Sequence, residues 1–215
     1  QFVDYVNTNL ANSNPAGIFY DYAIELHKNG KIDDAIFMYN QSIKADSTDS
    51  EVYVNLALAQ AQGNNYDGAL TTLKNAQSKF PKDSTITSTI KNISGMKTDS
   101  LFTKASDLYN NKQYKEAINT YLSINPATAD SMIGVATSYQ ELGDRDNAIA
   151  YYQKALELKP VDSDIAYYIA VLYGEKEDLD HAKIYLNKSL TINKNNTSVG
   201  TERCERSYYN RPWTG

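Results

Sequence analysis

Residues 143–160 read GDRDNAIAYYQKALELKP, and four other stretches repeat their pattern: GKIDDAIFMYNQSIKAD (30–46), NNYDGALTTLKNAQSKFP (64–81), KQYKEAINTYLSINP (112–126) and EDLDHAKIYLNKSLTIN (177–193). Each holds a small pivot, Ala35, Ala69, Ala117, Ala148 or Ala182, followed one helical turn later by Tyr39, Leu73, Tyr121, Tyr152 or Leu186. The pivots are 34, 48, 31 and 34 residues apart. A second alanine stands 12 residues before each pivot, at Ala23, Ala57, Ala105, Ala136 and Ala170, among large apolar residues at helical spacing. Each unit is therefore a predicted pair of amphipathic helices, with an apolar stripe on one side and Lys, Asp, Glu and Asn on the other. Polar or Gly-containing turns join the pair, and Pro81 and Pro160 close second helices because proline cannot extend them. One unit cannot bury its own stripe, so the core comes from stacking neighbours and the ends need covers.

Composition agrees with an ordered globular chain. Of 215 residues, 41% are hydrophobic and 22% charged, and no apolar run approaches the roughly 20 residues of a membrane span. A net charge of −5 with no basic patch disfavours nucleic acid. The composition breaks near the C-terminus: residues 1–196 hold 17 Lys, one Arg (Arg145), no Cys and no Trp, whereas Arg203, Cys204, Arg206, Arg211 and Trp213 all follow. With Gln1 at the start, the expectation is a piece of a longer product with a foreign tail. Its compartment is left open: soluble, cytoplasmic or extracytoplasmic.

The spacing and residue types resemble the tetratricopeptide repeat family, whose 34-residue motif carries a large residue, Leu-Gly/Ala, Tyr, Ala, an aromatic, Ala and Pro in order. In the fourth unit Met132, Val135 with Ala136, Tyr139, Gly143, Ala148, Tyr152, Ala155 and Pro160 take those places. The second matches with Tyr53, Leu56 with Ala57, Tyr66, Ala69, Ala76 and Pro81. Lys104, Gln60 and Lys194 depart from the motif. The resemblance implies an all-α fold, a right-handed superhelical array of antiparallel helix pairs. Five repeats are expected in two blocks, at residues 16–83 and 98–196. Residues 1–15 are read as a partial repeat or N-terminal capping helix. Residues 84–97, with Ile86, Ile90 and Ile93 before Ser94-Gly95, are read as an extra helix that stops there, followed by a hinge. The tail, 197–215, is a candidate cap on the last repeat; alternatively Tyr208, Tyr209, Arg211 and Trp213 imitate a partner.

Chemistry is sparse. His27 and His181 are the only histidines and Cys204 the only cysteine, so zinc-ligand spacing is absent, and no phosphate loop or nucleophile elbow occurs. Glu175, Glu177, Asp178 and Asp180 read as solvated turn acids rather than a cation loop. The expectation is no catalysis, no cofactor and no metal. Function then falls to the concave face, which the resemblance lines with the first helix of each repeat. Counting along those helices gives Tyr20, Ile24, His27, Val54, Asn55, Leu58, Phe102, Ser106, Tyr109, Ile133, Thr137, Gln140, Tyr167 and Val171. Glu51, Asp99, Asp130, Glu141, Asp164 and Glu175 form an acidic fringe. Such a groove suits a peptide or partner helix of apolar, aromatic and basic character. Part of the same set is equally what packing between repeats requires.

One family subtype grips chaperone C-terminal carboxylates with Lys and Asn on the first helix, Asn on the third, and Lys plus Arg on the fifth. Here those helices offer Tyr20 and Ile24, then Asn55, then Asp99 and Thr103. An acid in place of a cation repels a carboxylate, so that ligand is excluded. The reading is a non-catalytic interaction scaffold. Its alternatives are a regulatory or sensory arm of a larger enzyme or signalling protein, and a self-assembling scaffold.

Overall fold

The structure, a computed structural model, describes residues 14–196, which form ten α-helices and no strand. What was expected of residues 1–13 and of the tail 197–215 lies outside the described residues. Asn14 and Pro15 belong to the first helix rather than to a preceding element: Asn14 caps it, accepting from Ala16 N–H at 3.1 Å, and Pro15 opens it. The described residues divide into two compact units, with the division between Asp99 and Ser100.

The first unit holds α1 (Pro15–Lys28), α2 (Ile32–Ala45), α3 (Ser50–Gln62), α4 (Tyr66–Lys79) and the first half of α5 (Ser84–Asn110). Consecutive helices pack on one another, and two clusters fill the seams. Ala23, Leu26, Ala35, Tyr39 and Leu56 pack between α1, α2 and α3. Ala57, Ala69, Leu73, Ile86 and Ile93 pack between α3, α4 and α5. Burying a side chain such as Leu73, which is 0% exposed, stabilises by about 1.5–3 kcal/mol.

The second unit holds the rest of α5, then α6 (Tyr114–Leu122), α7 (Ala129–Glu141), α8 (Arg145–Leu158), α9 (Ser163–Glu175) and α10 (Leu179–Asn196). Ala105, Ala117, Ile118, Tyr121 and Val135 form one cluster, and Ala136, Ala148, Tyr152, Ile165 and Ile169 belong to another. The third repeat's second helix, α6, is short, nine residues against 14 for α8, which accounts for the 31-residue spacing between Ala117 and Ala148.

The repeat is written into the backbone as well as the side chains. Gly30, Asn64, Lys112, Gly143 and Glu177 all have positive φ, between 61° and 76°. Each stands five residues before its pivot alanine. At every one the chain closes a helix with paired bonds, such as Gly143 N–H to Gln140 O and Asp144 N–H to Tyr139 O, both 2.9 Å. Ser42 and Ser189 mark the helix ends in the same way: each hydroxyl donates to a carbonyl 26 residues back, Ala16 O and Ser163 O, at 2.8 Å.

Ser94 and Gly95 do not stop a helix, contrary to the sequence expectation. α5 runs unbroken through them and through the expected hinge to Asn110. Glycine ends a helix by turning left-handed, and Gly95 is not among the positive-φ residues. Its cost inside a helix, about 1 kcal/mol, is outweighed because both flanks are anchored, by Ile86 and Ile93 on one side and Ala105 on the other. Ile86, Ile90 and Ile93 stand 34 residues after Val52, Leu56 and Ala59, so this half of α5 is in phase as the first helix of a repeat. That repeat lacks its turn and second helix.

Candidate functional site

The first-helix faces are described unit by unit. In the first unit, Asn55 Nδ2 on α3 donates to Tyr20 Oη on α1 at 2.7 Å. Glu51 lies beside the same phenol, which burial and then the carboxylate push well above the ordinary tyrosine value. The Tyr39 ring sits 6.0 Å from Tyr20 and 6.2 Å, edge-on, from His27. His27 Nε2 lies 2.8 Å from Gln62 Oε1, and its Nδ1 faces the Tyr39 hydroxyl at 3.5 Å. Tyr20, His27, Asn55 and Glu51 therefore come together, with Ile24 and Leu58 half-buried against the neighbouring cores. Val54 does not join them. It is 8% exposed within the α3–α4–α5 core and cannot line an open surface.

In the second unit the aromatics of each second helix rest on the first helix of the same repeat. Phe102 lies edge-on to Tyr121 at 5.4 Å, and Ser106 Oγ meets the Tyr121 hydroxyl at 3.0 Å. Tyr109 pairs edge-on with Tyr114 at 5.5 Å, and the Tyr114 hydroxyl donates to Glu141 Oε2 at 3.3 Å. Burial first, then Glu141, raises the pKa of both phenols. The Tyr152 hydroxyl donates to Gln140 Oε1 at 3.4 Å, while Ile133 packs on the α7–α8 core and Thr137 spends its hydroxyl on the Ile133 and Gly134 carbonyls. Tyr167 and Val171 border a hollow of about 320 Å³ together with Ala170, Ala182, Lys183 and Leu186, on the open side of the last helix pair.

Tyr168 was not expected at the surface. It is 45% exposed and stacks at 5.6 Å on Tyr152, which is 1% exposed. Asn55 held the signal that would have found it: the same register place falls on Gly134 in the fourth repeat and Tyr168 in the fifth. The acidic fringe is thinner than its residue types suggest. Asp130 is paired with Lys159 at 2.8 Å and Glu175 with Arg145 at 2.9 Å, and parallel links join Asp67 to Lys97 and Asp146 to Lys176. Asp67–Lys97, Glu175–Arg145 and Asp146–Lys176 each reach from one helix pair to the next, while Asp130–Lys159 closes the fourth repeat on itself; all are exposed to water, which screens them. Asp99 and Asp164 are exposed. Glu51 and Glu141 stand in none of the ion pairs among the described residues.

Among the described residues no group of three or more His, Cys, Asp or Glu is placed to hold a metal, and no helix is long and apolar enough to cross a membrane. His181 stacks on Tyr173 at 4.9 Å and meets Asp178 through Nδ1 at 2.8 Å.

No curated protein matches the chain. Solved structures of MamA are similar at low level. "Crystal structure of MamA" is 20% identical, covering 82% of this chain and 97% of its own, with a TM-score of 0.46. A MamA double mutant from RS-1 is 18% identical over 87% and 99%, at 0.44. MamA from Desulfovibrio magneticus RS-1 is 18% identical over 86% and 98%, at 0.41. Likenesses of this size say nothing of function. Family models described as tetratricopeptide repeat match residues 26–90, 98–125, 129–162 and 164–196, the last three each spanning one helix pair of the second unit. With the helix pairs, the turns and the pivots all in that register, the chain belongs to the tetratricopeptide repeat family.

Proposed function

We propose that the chain is a non-catalytic protein-interaction scaffold whose first-helix faces receive an extended peptide or partner helix rich in aromatic and basic residues. Family membership supports the scaffold role. The finer reading is carried by Tyr168, a large aromatic ring left 45% exposed on a rigid support, Tyr152. Rigid, amphipathic tyrosines give contact area at low entropic cost and are enriched where proteins bind one another. The half-buried Tyr20, His27, Asn55, Phe102 and Tyr109 and the exposed Gln140 supply further aromatic and hydrogen-bonding surface.

Panning a random peptide display library against the immobilised 215-residue chain tests this. Enriched peptides should carry aromatic and basic residues and lose at least tenfold in affinity to Tyr168→Ala. No enrichment, or peptides indifferent to Tyr168→Ala, would sink the reading.

A second reading, self-assembly through the end repeat, is favoured by Leu179, Ile184 and Leu190, which are 72%, 60% and 43% exposed on α10. It requires mass to grow with concentration in sedimentation.

A further inference from the structure

We infer that Tyr109, Tyr114 and Glu141 form a subsite for an arginine side chain of the partner. The inference rests on the interaction reading above and names a chemistry within it. Two tyrosine rings stand edge-to-face, 5.5 Å apart at 63°, with one hydroxyl donating to the carboxylate at 3.3 Å. Tyr109 is the last aromatic of α5, Tyr114 opens α6 and Glu141 ends α7, so three helices of one unit converge on the spot. The phenols are half-buried and the carboxylate is exposed, which leaves the acid reachable from solvent.

Among the described residues no cation forms an ion pair with Glu141. Arg145 is one helical turn beyond Glu141 in sequence, yet its Nε goes to Glu175 at 2.9 Å. Lys159 and Lys176 go to Asp130 and Asp146. The chain's own cations also cover other tyrosine rings: Lys154 Nζ lies 4.1 Å from the Tyr151 ring centre and Lys79 Nζ 5.2 Å from that of Tyr53. Among the described residues, no such cation covers Tyr109 or Tyr114. Aromatic rings beside an unpaired acid offer a cation both a π face and a counter-charge, and the contact strengthens as water is displaced. A guanidinium fits better than an ammonium. Its flat face stacks on one ring while its fork meets the carboxylate, and it gives up hydration more easily.

The probe is N-acetyl-arginine amide, titrated into the full chain with tyrosine rings labelled with carbon-13 and read by two-dimensional NMR. N-acetyl-citrulline amide, the uncharged isostere, is the control. The ring signals of Tyr109 and Tyr114 should shift saturably with the arginine probe and stay put with citrulline. Glu141→Gln removes the charge while keeping an oxygen for the Tyr114 hydroxyl, and it should weaken binding at least tenfold with an unchanged spectrum elsewhere. Equal shifts with citrulline, absence of saturation, or unaltered affinity in Glu141→Gln would each overturn the subsite. The citrulline contrast needs no variant, so it stands even if Glu141→Gln folds poorly. The two proposals fail separately. Tyr168-dependent peptides without arginine-probe binding remove only the subsite, and saturable probe binding without enriched peptides removes only the wider reading.

Discussion

The Tyr121 ring fills the space beside Gly134 that any side chain there would need: a Cβ on Gly134 would lie 2.5 Å from Tyr121 Cζ. Tyr121 is 5% exposed and held between Phe102 and Ser106, so it cannot swing aside. Glycine inside a helix ordinarily costs about 1 kcal/mol against alanine, but here overpacking reverses the sign. Gly134→Ala should destabilise the protein by about 1–3 kcal/mol in denaturant unfolding. A stabilised variant would show that the ring does not rest there.

Gly95 gives the opposite expectation. A Cβ built on it meets nothing within 4 Å, and no side chain from Ser94 to Lys104 is fully buried. Gly95→Ala should stabilise by up to about 1 kcal/mol. Because those amides sit in a helical stretch with no buried side chain of its own, we propose that residues 95–100 exchange hydrogen faster than α3 or α8 and mark the boundary between two blocks. Uniformly slow exchange through Met96 would remove that picture, and Gly95→Ala should slow exchange locally if it holds.

The repeat and its helix pairs were legible because a tetratricopeptide unit is specified by small and large residues at fixed spacing, and Ala35, Ala69, Ala117 and Ala148 are all 0% exposed as that spacing requires. What escaped was context. Gly95 reads as a stop when taken alone, but a glycine's φ depends on what anchors the flanks. Asp130 and Glu175 look like free acids until Lys159, from the far end of the same repeat, and Arg145, from the repeat before, are placed beside them. Val54 and Asn55 are adjacent in sequence and equally plausible as groove residues, yet the neighbouring α4 and α5 bury only the first.

Position within the array also changes what one substitution does. Ala148 is sealed within the α7–α8–α9 core, whereas Ala182, in the same register, borders the 320 Å³ hollow. Ala148→Leu should cost about 1–3 kcal/mol, and Ala182→Leu, which has room to grow, should fall within about 0.5 kcal/mol of wild type. Equal losses at both sites would mean that the last helix pair is covered.

Two of the five turns place a charged side chain where glycine is preferred. Lys112 and Glu177 have φ of 61° and 62°, in the left-handed region that Gly30 and Gly143 occupy without strain. Lys112→Gly should raise stability by roughly 0.5–1 kcal/mol, less whatever the looser unfolded chain takes back. Gly143→Ala should lower it by a similar amount. A loss in Lys112→Gly would place the turn outside the left-handed region.

Alkaline pH should unfold the protein through its buried phenols. Burial holds Tyr39 up to about 12, and burial also raises Tyr20, with Glu51 adding to it, and Tyr152. An unfolded tyrosine ionises near pH 10. Between about pH 10 and 12 the unfolded chain has lost the Tyr39 proton while the folded chain keeps it. The unfolded state then binds fewer protons, so stability is complete below pH 10 and falls as pH rises, by about 1.4 kcal/mol per pH unit for each such phenol. Tyr39→Phe separates this from general alkaline damage. Its hydroxyl makes only a 3.5 Å contact to His27 Nδ1, so the substitution should cost less than about 1 kcal/mol at pH 7. Above pH 10 the variant should lose stability less steeply than the parent, by one proton's worth of slope, and the two curves should cross. Parallel curves from pH 7 to 12 would show that Tyr39 ionises at its ordinary value and that its ring is not sealed in the α1–α2–α3 core.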